Sequence, residues 1–277
     1  MIANEHLVIA NLGDCRGVVC RLVEDCDSYA TDNEWNELDA AVNDLGQRTN
    51  GESEDVQKCV WKEITAVHSP SEEAERQRIK DANGWLESET EIPVIQLRRM
   101  DFLDEDVIGI LRRCFTDRYE KSGNSVKECK AAPQRIIEIY RVCGELAVSR
   151  ALGDRDFKAA FNQPSGSGES HWECPLDLLY PVDHSRSFTG DLVSNAPDFH
   201  TVRLGEEGVS DEFILLACDG LWDVMDADDA VRVTRDLLFR KKLTAKRAAA
   251  RLAELAIHLG SSDNITVIVI RLLNKSD

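Results

Sequence analysis

The sequence predicts an α+β protein whose sheets are covered by helices, on three observations. Apolar, β-branched runs sit at both ends of the chain: "LVIANLGDCRGVVCRL" at 7–22, "FILLAC" at 213–218 and "ITVIVIRL" at 265–272. Amphipathic helical spacing is confined to the segments between them. With 277 residues, 43% of them hydrophobic, the chain can close a sizeable core. The expectation is a single domain over 1–277, interrupted by insertions at about 23–59 and 90–137.

In chain order, 7–22 reads as two short strands joined through Gly13-Asp14-Cys15-Arg16-Gly17, a hairpin. The 23–59 segment sets eleven acids against two bases, Arg48 and Lys58. It reads as a solvated insertion in which Trp35, Leu38, Val42 and Leu45 mark a short helix. From Trp61 a strand passes through His68-Ser69-Pro70 into a helix with Ser71 as N-cap, acids Glu72, Glu73 and Glu75 at its start, and Asn83-Gly84 as its stop. A further helix is expected over 103–118. Residues 140–158 read as strand, turn and strand, and 164–191, rich in Pro, Ser and Gly, as a surface excursion. A strand at 213–218 precedes a helix over about 228–240, with Asp226 as its cap. The next helix starts at Thr244, lines up Ala248, Leu252, Leu255 and Leu259 on one face, and stops at Gly260. The last strand, 265–272, is apolar enough to predict an interior position in its sheet.

Charge narrows the partners. Acids outnumber bases 51 to 33, a formal net charge of -18, so bulk electrostatics disfavours nucleic acid and anionic membrane as partners. No run approaches the roughly 18 apolar residues that span a bilayer, and the N-terminal residues lack the pattern of a secretory signal. Nine cysteines without a Cys-x-x-Cys pair read as reduced thiols of a cytoplasmic or nuclear protein, neither a disulfide framework nor a zinc site. The six histidines show no ligand-like pair spacing, and "PSGSGES" lacks the Gly-Lys-Ser/Thr of a phosphate loop.

The aspartates carry the chemistry. Asp219 stands at the exit of one apolar strand and Asp263 at the entrance of another. A carboxylate half desolvated at a strand end needs a cation, N–H donors or a proton, and Mg²⁺ or Mn²⁺ meets that need with oxygen ligands. Asx-turns and helix caps are the alternative for each residue taken singly.

Four segments in order, "VIANLGDCRGVV", "LAVSRALGDRDFK", "FILLACDGLWDVM" and "SSDNITVIVI", closely resemble the successive motifs of the metal-dependent protein serine/threonine phosphatases, the PPM or type 2C family. "ITAVHSPSEEAERQRIKDANG" and "NAPDFHTVRL" resemble that family more loosely. The resemblance implies an antiparallel β-sandwich flanked by helices. It implies hydrolysis of phosphoserine and phosphothreonine in a phosphoprotein substrate by two Mg²⁺ or Mn²⁺ ions about 3.5 to 4 Å apart. It makes Asp219 and Asp263 metal ligands, and gives Asp223 and Asp14 to a third ion held by several family members. Cys15 departs from the serine usual in the Gly-Asp-Ser-Arg motif.

In the family, a phosphate-binding Arg, a Glu-Asp pair and an Asp-Gly-His-Gly motif with the bridging aspartate precede the first hairpin. The sequence contains no Asp-Gly-His, so the domain is expected to be N-terminally incomplete and the catalytic groups remain unassigned. Two expectations follow: the C-terminal portion of an active phosphatase, or a catalytically inactive phosphatase-like regulatory or binding module. A protein partner at the acidic insertion suits either.

Overall fold

The computed structural model describes residues 2–3, 5–23, 59–91, 95, 137–163, 171–205 and 209–272. The helices expected around Trp35–Leu45 and over 103–118 lie outside the described residues, as do most of the two insertions. The chain forms two compact units. The first comprises Met1–Asn11, Cys15–Ala66 and Asp198–Asp277; the second comprises Leu12–Asp14 and Val67–Pro197.

The first unit is built on two antiparallel sheets. One has the order β1-β2-β7, with β1 at Ile2–Ala3, β2 at His6–Asn11 and β7 at Asp198–Arg203. The other has the order β4-β3-β8-β9, with β3 at Arg16–Val23, β4 at Cys59–Glu63, β8 at Val209–Ala217 and β9 at Val267–Arg271. Alternation along the strands gives the second sheet two apolar faces. Val19 and Ile214 pack with Leu7 and Val202 of the first sheet, making a sandwich interior. Val18, Cys20, Phe213, Leu215 and Val269 face the other way, onto helices.

Those helices are α4 (Ala227–Arg235), a π-turn that continues it over Asp236–Arg240, and α5 (Ala245–His258). Asp226 caps α4 by accepting from Asp229 N at 2.9 Å. Thr244 caps α5 by accepting from Arg247 N, and Ala248, Leu252, Leu255 and Leu259 are all buried. Gly260, with φ 94, ends the element as its sequence position predicts.

Two strand expectations need correction. β2 and β3 do not form a hairpin: β2 pairs with β1 and β7, while β3 pairs with β4 and β8. The Gly-Asp-Cys-Arg turn therefore carries the chain from one sheet to the other, because each strand finds a better-matched apolar partner far away in sequence. β9 has a single neighbour among the described residues, β8, and its alternate residues Ile268 and Ile270 are exposed. Its apolar outer residues mislead about its place in the sheet.

In the second unit, α1 (Glu73–Asp81) buries Ile79 against Phe157, Trp172, Phe188, Leu192 and Val193. Glu72, not Ser71, occupies the N-cap position and has no side-chain cap bond. Ser71 N is instead tied to Ser69 Oγ at 3.2 Å. The helix stops at Asn83-Gly84 as expected. Asn83 takes φ 65, and a Cβ on Gly84 would come within 2.6 Å of Leu192. β5 (Leu86–Glu91) pairs with β6 (Ile137–Val142).

The second strand expected within 140–158 is absent there. Only single bridges form at Leu146 and Arg150, before a 3₁₀ turn at Arg155–Phe157 and a short helix α2 at Ala159–Asn162. The described part of the expected surface excursion also contributes to the core. Trp172 and Phe188 bridge each other antiparallel and are buried together, their ring centroids 5.0 Å apart. Two large aromatic rings outweigh the polar composition around them.

Candidate functional site

Three strand ends meet at one end of the β4-β3-β8-β9 sheet. Arg16 opens β3, Val267 opens β9, and both register opposite Ala217, the last residue of β8. Cys218 turns the chain, and Asp219 begins α3 (Asp219–Trp222). Asp219 is half-buried and its Oδ1 accepts from Gly220 N at 2.9 Å. Asp263 is exposed in the loop before β9, and its Oδ1 accepts from Asn264 N at 2.6 Å.

The two loops are clamped together. Cys218 N donates to Thr266 O at 3.2 Å, and Thr266 N donates back to Cys218 Sγ at 3.2 Å. The Cys218 thiol donates to Asn264 O at 3.1 Å, and Ser261 Oγ donates to Gly220 O at 2.7 Å. At Gly220 the approach is so close that a Cβ would fall 2.4 Å from Asn264 O. Glycine is required there for contact between backbones rather than for an unusual dihedral. Sequence reading singled out the acids; it missed Gly220, Ser261 and the Cys218 thiol as the clamp. Their adjacency to Asp219 and Asp263 in "CDG" and "SSDN" was the available signal.

Asp223 lies one helical turn beyond Asp219, its N donating to Asp219 O at 2.8 Å, and is exposed. Residues spaced by four on a helical turn share a face, so the two carboxylates are neighbours. Trp222 backs this end of the sheet. Its Nε1 donates to Ala217 O at 2.9 Å, and the Arg16 guanidinium sits 5.2 Å from its ring centroid. Asp219 and Asp263 form no ion pair among the described residues. The end of the sheet therefore presents hard oxygen donors on two joined loops, a donor set that fits a divalent cation such as Mg²⁺ or Mn²⁺.

Asp14, the fourth acid expected at the site, belongs to the second unit. It is half-buried in the turn after Gly13, whose N donates to His68 Nδ1 at 3.1 Å and whose O accepts from His68 N at 3.0 Å. His68 is buried. It anchors the turn.

The second unit holds a different acidic centre. Glu75 is buried, and Arg150 Nη2 and Nε reach its Oε1 at 2.6 and 3.0 Å while Arg78 Nη2 reaches Oε2 at 3.0 Å. Burial alone would raise its carboxyl; hydrogen bonds from Arg150 and Arg78 outweigh it and hold the group below the usual carboxylate range. The "VSR" of the second motif thus supplies a structural arginine. Among the described residues, one set of three potential metal-ligating atoms lies within 4.8 Å of one another, and it is neither acidic centre: it is Cys20, Cys59 and Glu212.

Comparison with known proteins agrees with the motif order. Residues 117–265 match the family model described as Protein phosphatase 2C. The chain is 36% identical over 160 residues to Protein phosphatase 2C 57 of Arabidopsis thaliana, covering 56% of this chain and 39% of that protein. It is 32% identical over 158 residues to Protein phosphatase 1A of Homo sapiens, covering 56% of this chain and 34% of that protein. Over nearly its whole length, 270 residues and 98% of the chain, it is 27% identical to Probable protein phosphatase 2C 43 of Arabidopsis thaliana, of which it covers 37%. The chain thus spans well under half the length of these relatives.

Proposed function

The chain belongs to the protein phosphatase 2C family, and from that premise we propose that it forms part of a protein serine/threonine phosphatase hydrolysing phosphoserine and phosphothreonine in proteins with Mg²⁺ or Mn²⁺. The observation that carries this reading is the clamp between the Asp219 and Asp263 loops. It fixes two oxygen donors at one end of a sheet where no lysine or arginine neutralises them among the described residues.

In this reading Asp219 and Asp263 hold a catalytic ion, and Asp223 holds a neighbouring one. Asp14 keeps the third-ion role on the family resemblance alone. Such an ion, when bound, lowers the pKa of a water and offsets charge on the transferring phosphoryl group. The chain's own residues supply position. Gly220 and Ser261 lock the two loops, and the Gly220 N–H that Asp219 Oδ1 accepts orients that carboxylate. The chain acts as one phosphatase-type domain over 1–277 with insertions at about 23–59 and 90–137, in the cytoplasm or nucleus, with the acidic insertion available to a protein partner.

The test combines Mn²⁺ binding to this chain by calorimetry with Mn²⁺-dependent phosphate release from a phosphothreonine peptide by the chain completed with the family's upstream motifs. Asp219→Asn is expected to remove both. Unchanged turnover in that variant would take Asp219 out of the mechanism. A second reading is a catalytically inactive regulatory or binding module. It predicts Asp219-dependent Mn²⁺ binding with no phosphate release.

A further inference from the structure

The helix-covered face of β3 carries a second group of reactive side chains, away from the aspartates. Cys20 on β3 registers opposite Trp61 of β4, and Cys59 of β4 opposite Leu22, so the two cysteines are diagonal neighbours on adjacent antiparallel strands. Their Sγ atoms are 2.7 Å apart. Cys20 is fully buried and Cys59, at the start of β4, is half-buried. Glu212 of β8 lies beside them, its Oε2 3.6 Å from Cys20 Sγ. Arg235 of α4 covers that carboxylate, Nε to Oε2 at 2.8 Å and Nη2 to Oε1 at 3.4 Å.

We propose that Cys20 and Cys59 are a modification site: a dithiol that a hydroperoxide converts to a disulfide between β3 and β4, with Cys59 attacking and Cys20 resolving. The sulfurs already stand close to the bonded separation of about 2.05 Å. The half-buried sulfur is the one a small oxidant can meet, while the buried one is held against it. Their surroundings divide the two roles. The hydrogen bond from Cys20 holds the Cys59 thiol below the ordinary thiol range, against burial and Glu212, with Arg235 assisting. That same hydrogen bond, burial and Glu212 push the Cys20 thiol up and keep its proton on.

The chemistry balances with the peroxide as sole oxidant. The Cys59 thiolate attacks one peroxide oxygen, the O–O bond breaks, and hydroxide leaves to become water with a proton from solvent. Cys20 then attacks the Cys59 sulfenyl sulfur. The S–S bond forms, the S–O bond breaks, and the Cys20 proton leaves with that oxygen as a second water. Two thiols are oxidised and one peroxide is reduced. A metal is the less suitable occupant. Two thiolates on one tetrahedral zinc, each about 2.3 Å from the ion, would stand roughly 3.7 Å apart. Both oxygens of the Glu212 carboxylate also already face Arg235.

The experiment treats the reduced chain with hydrogen peroxide, then alkylates it and maps its peptides. The expected product is a linked Cys20–Cys59 peptide pair, with a loss of about 2 Da from the intact chain, both reversed by dithiothreitol. Cys59→Ser should abolish the link. Cys143, whose thiol burial pushes up to about 12, should stay alkylatable under denaturing conditions in both proteins. The map of the unsubstituted chain decides the matter even if a cysteine variant fails to fold. Two results would overturn the proposal: Cys59 accumulating as sulfinic acid while Cys20 remains a free thiol, or stoichiometric Zn²⁺ shielding both thiols from peroxide and alkylating agent alike.

Discussion

Two carboxylate centres in this protein meet opposite electrostatic circumstances. Glu75 is buried and is neutralised from within, by Arg150 on one oxygen and Arg78 on the other. Asp219 and Asp263 lie at a sheet end, and each accepts a backbone N–H from the residue that follows it. A buried acid with two guanidinium partners is already complete and has nothing left to offer a ligand. Acids that are fixed in place but not neutralised are where an external cation would lower the energy of the fold. Sequence alone gives both centres the same appearance, an acid inside a family-like motif.

The difference can be broken at either end. The largest effect is expected for Asp219→Asn. Groups that merely orient metal ligands cost roughly 10- to 100-fold in affinity when changed, so loss of a direct ligand should weaken Mn²⁺ binding by more than about 100-fold in calorimetry, while thermal stability without metal holds or rises. Glu75→Ala should do the reverse. Leaving two arginines facing each other should cost about 3 kcal/mol by urea unfolding and leave Mn²⁺ affinity unchanged. The same centre should appear in acid titration. Because the folded Glu75 carboxyl lies below its unfolded value, its contribution is complete above the unfolded range, about 4.3, and is lost as pH falls through the lower folded value. Wild-type Tm should therefore drop more steeply below that range than the Tm of Glu75→Gln.

Gly220→Ala sharpens the comparison at the sheet end. Its Cβ meets Asn264 O at 2.4 Å, so the clamp must open, costing about 2 kcal/mol of stability and weakening Mn²⁺ binding although no ligand is removed. Wild-type Mn²⁺ affinity in that variant would show that the clamp does not position Asp263. Asp226→Ala should have the smallest effect, about 1 kcal/mol for a lost N-cap, with binding untouched. That result separates Asp226 from Asp223, three positions earlier in the same acidic run.

The features legible in the sequence are those decided within a few residues. The α5 boundaries at Thr244 and Gly260, the Asp226 cap and the stop at Asn83-Gly84 all follow from local hydrogen bonding and backbone preference. The four motif segments also pointed to the family. What escaped was set by distant partners. Nothing near Leu12 says that β2 will pair with β7 and β3 with β8. Nothing near Trp172 says that Phe188 will complete its pocket. Glu75 read as a favourable first-turn acid because Arg150, its strongest partner, is 75 positions away. Cys20 and Cys59 looked like separate thiols because they are 39 positions apart in sequence and meet only through the β3–β4 ladder. At the Asp219–Asp263 end of the sheet the acids were readable, while the backbone contact at Gly220 that joins their loops needed both loops in view.

The crossing of β3 away from β2 bears on how the molecule assembles. Its neighbour β8 lies far down the chain, and Cys20 and Glu212 are 192 positions apart. Closing so long a loop is entropically costly and slow compared with forming a local helix pair. During synthesis, β3 must wait for β8, close to two hundred positions further on, before its central ladder can zip. Throughout that interval Val18, Val19 and Cys20, completely buried in the finished protein, have no β8 to cover them. The nascent chain is thus most exposed to misassociation between the emergence of β3 and that of β8.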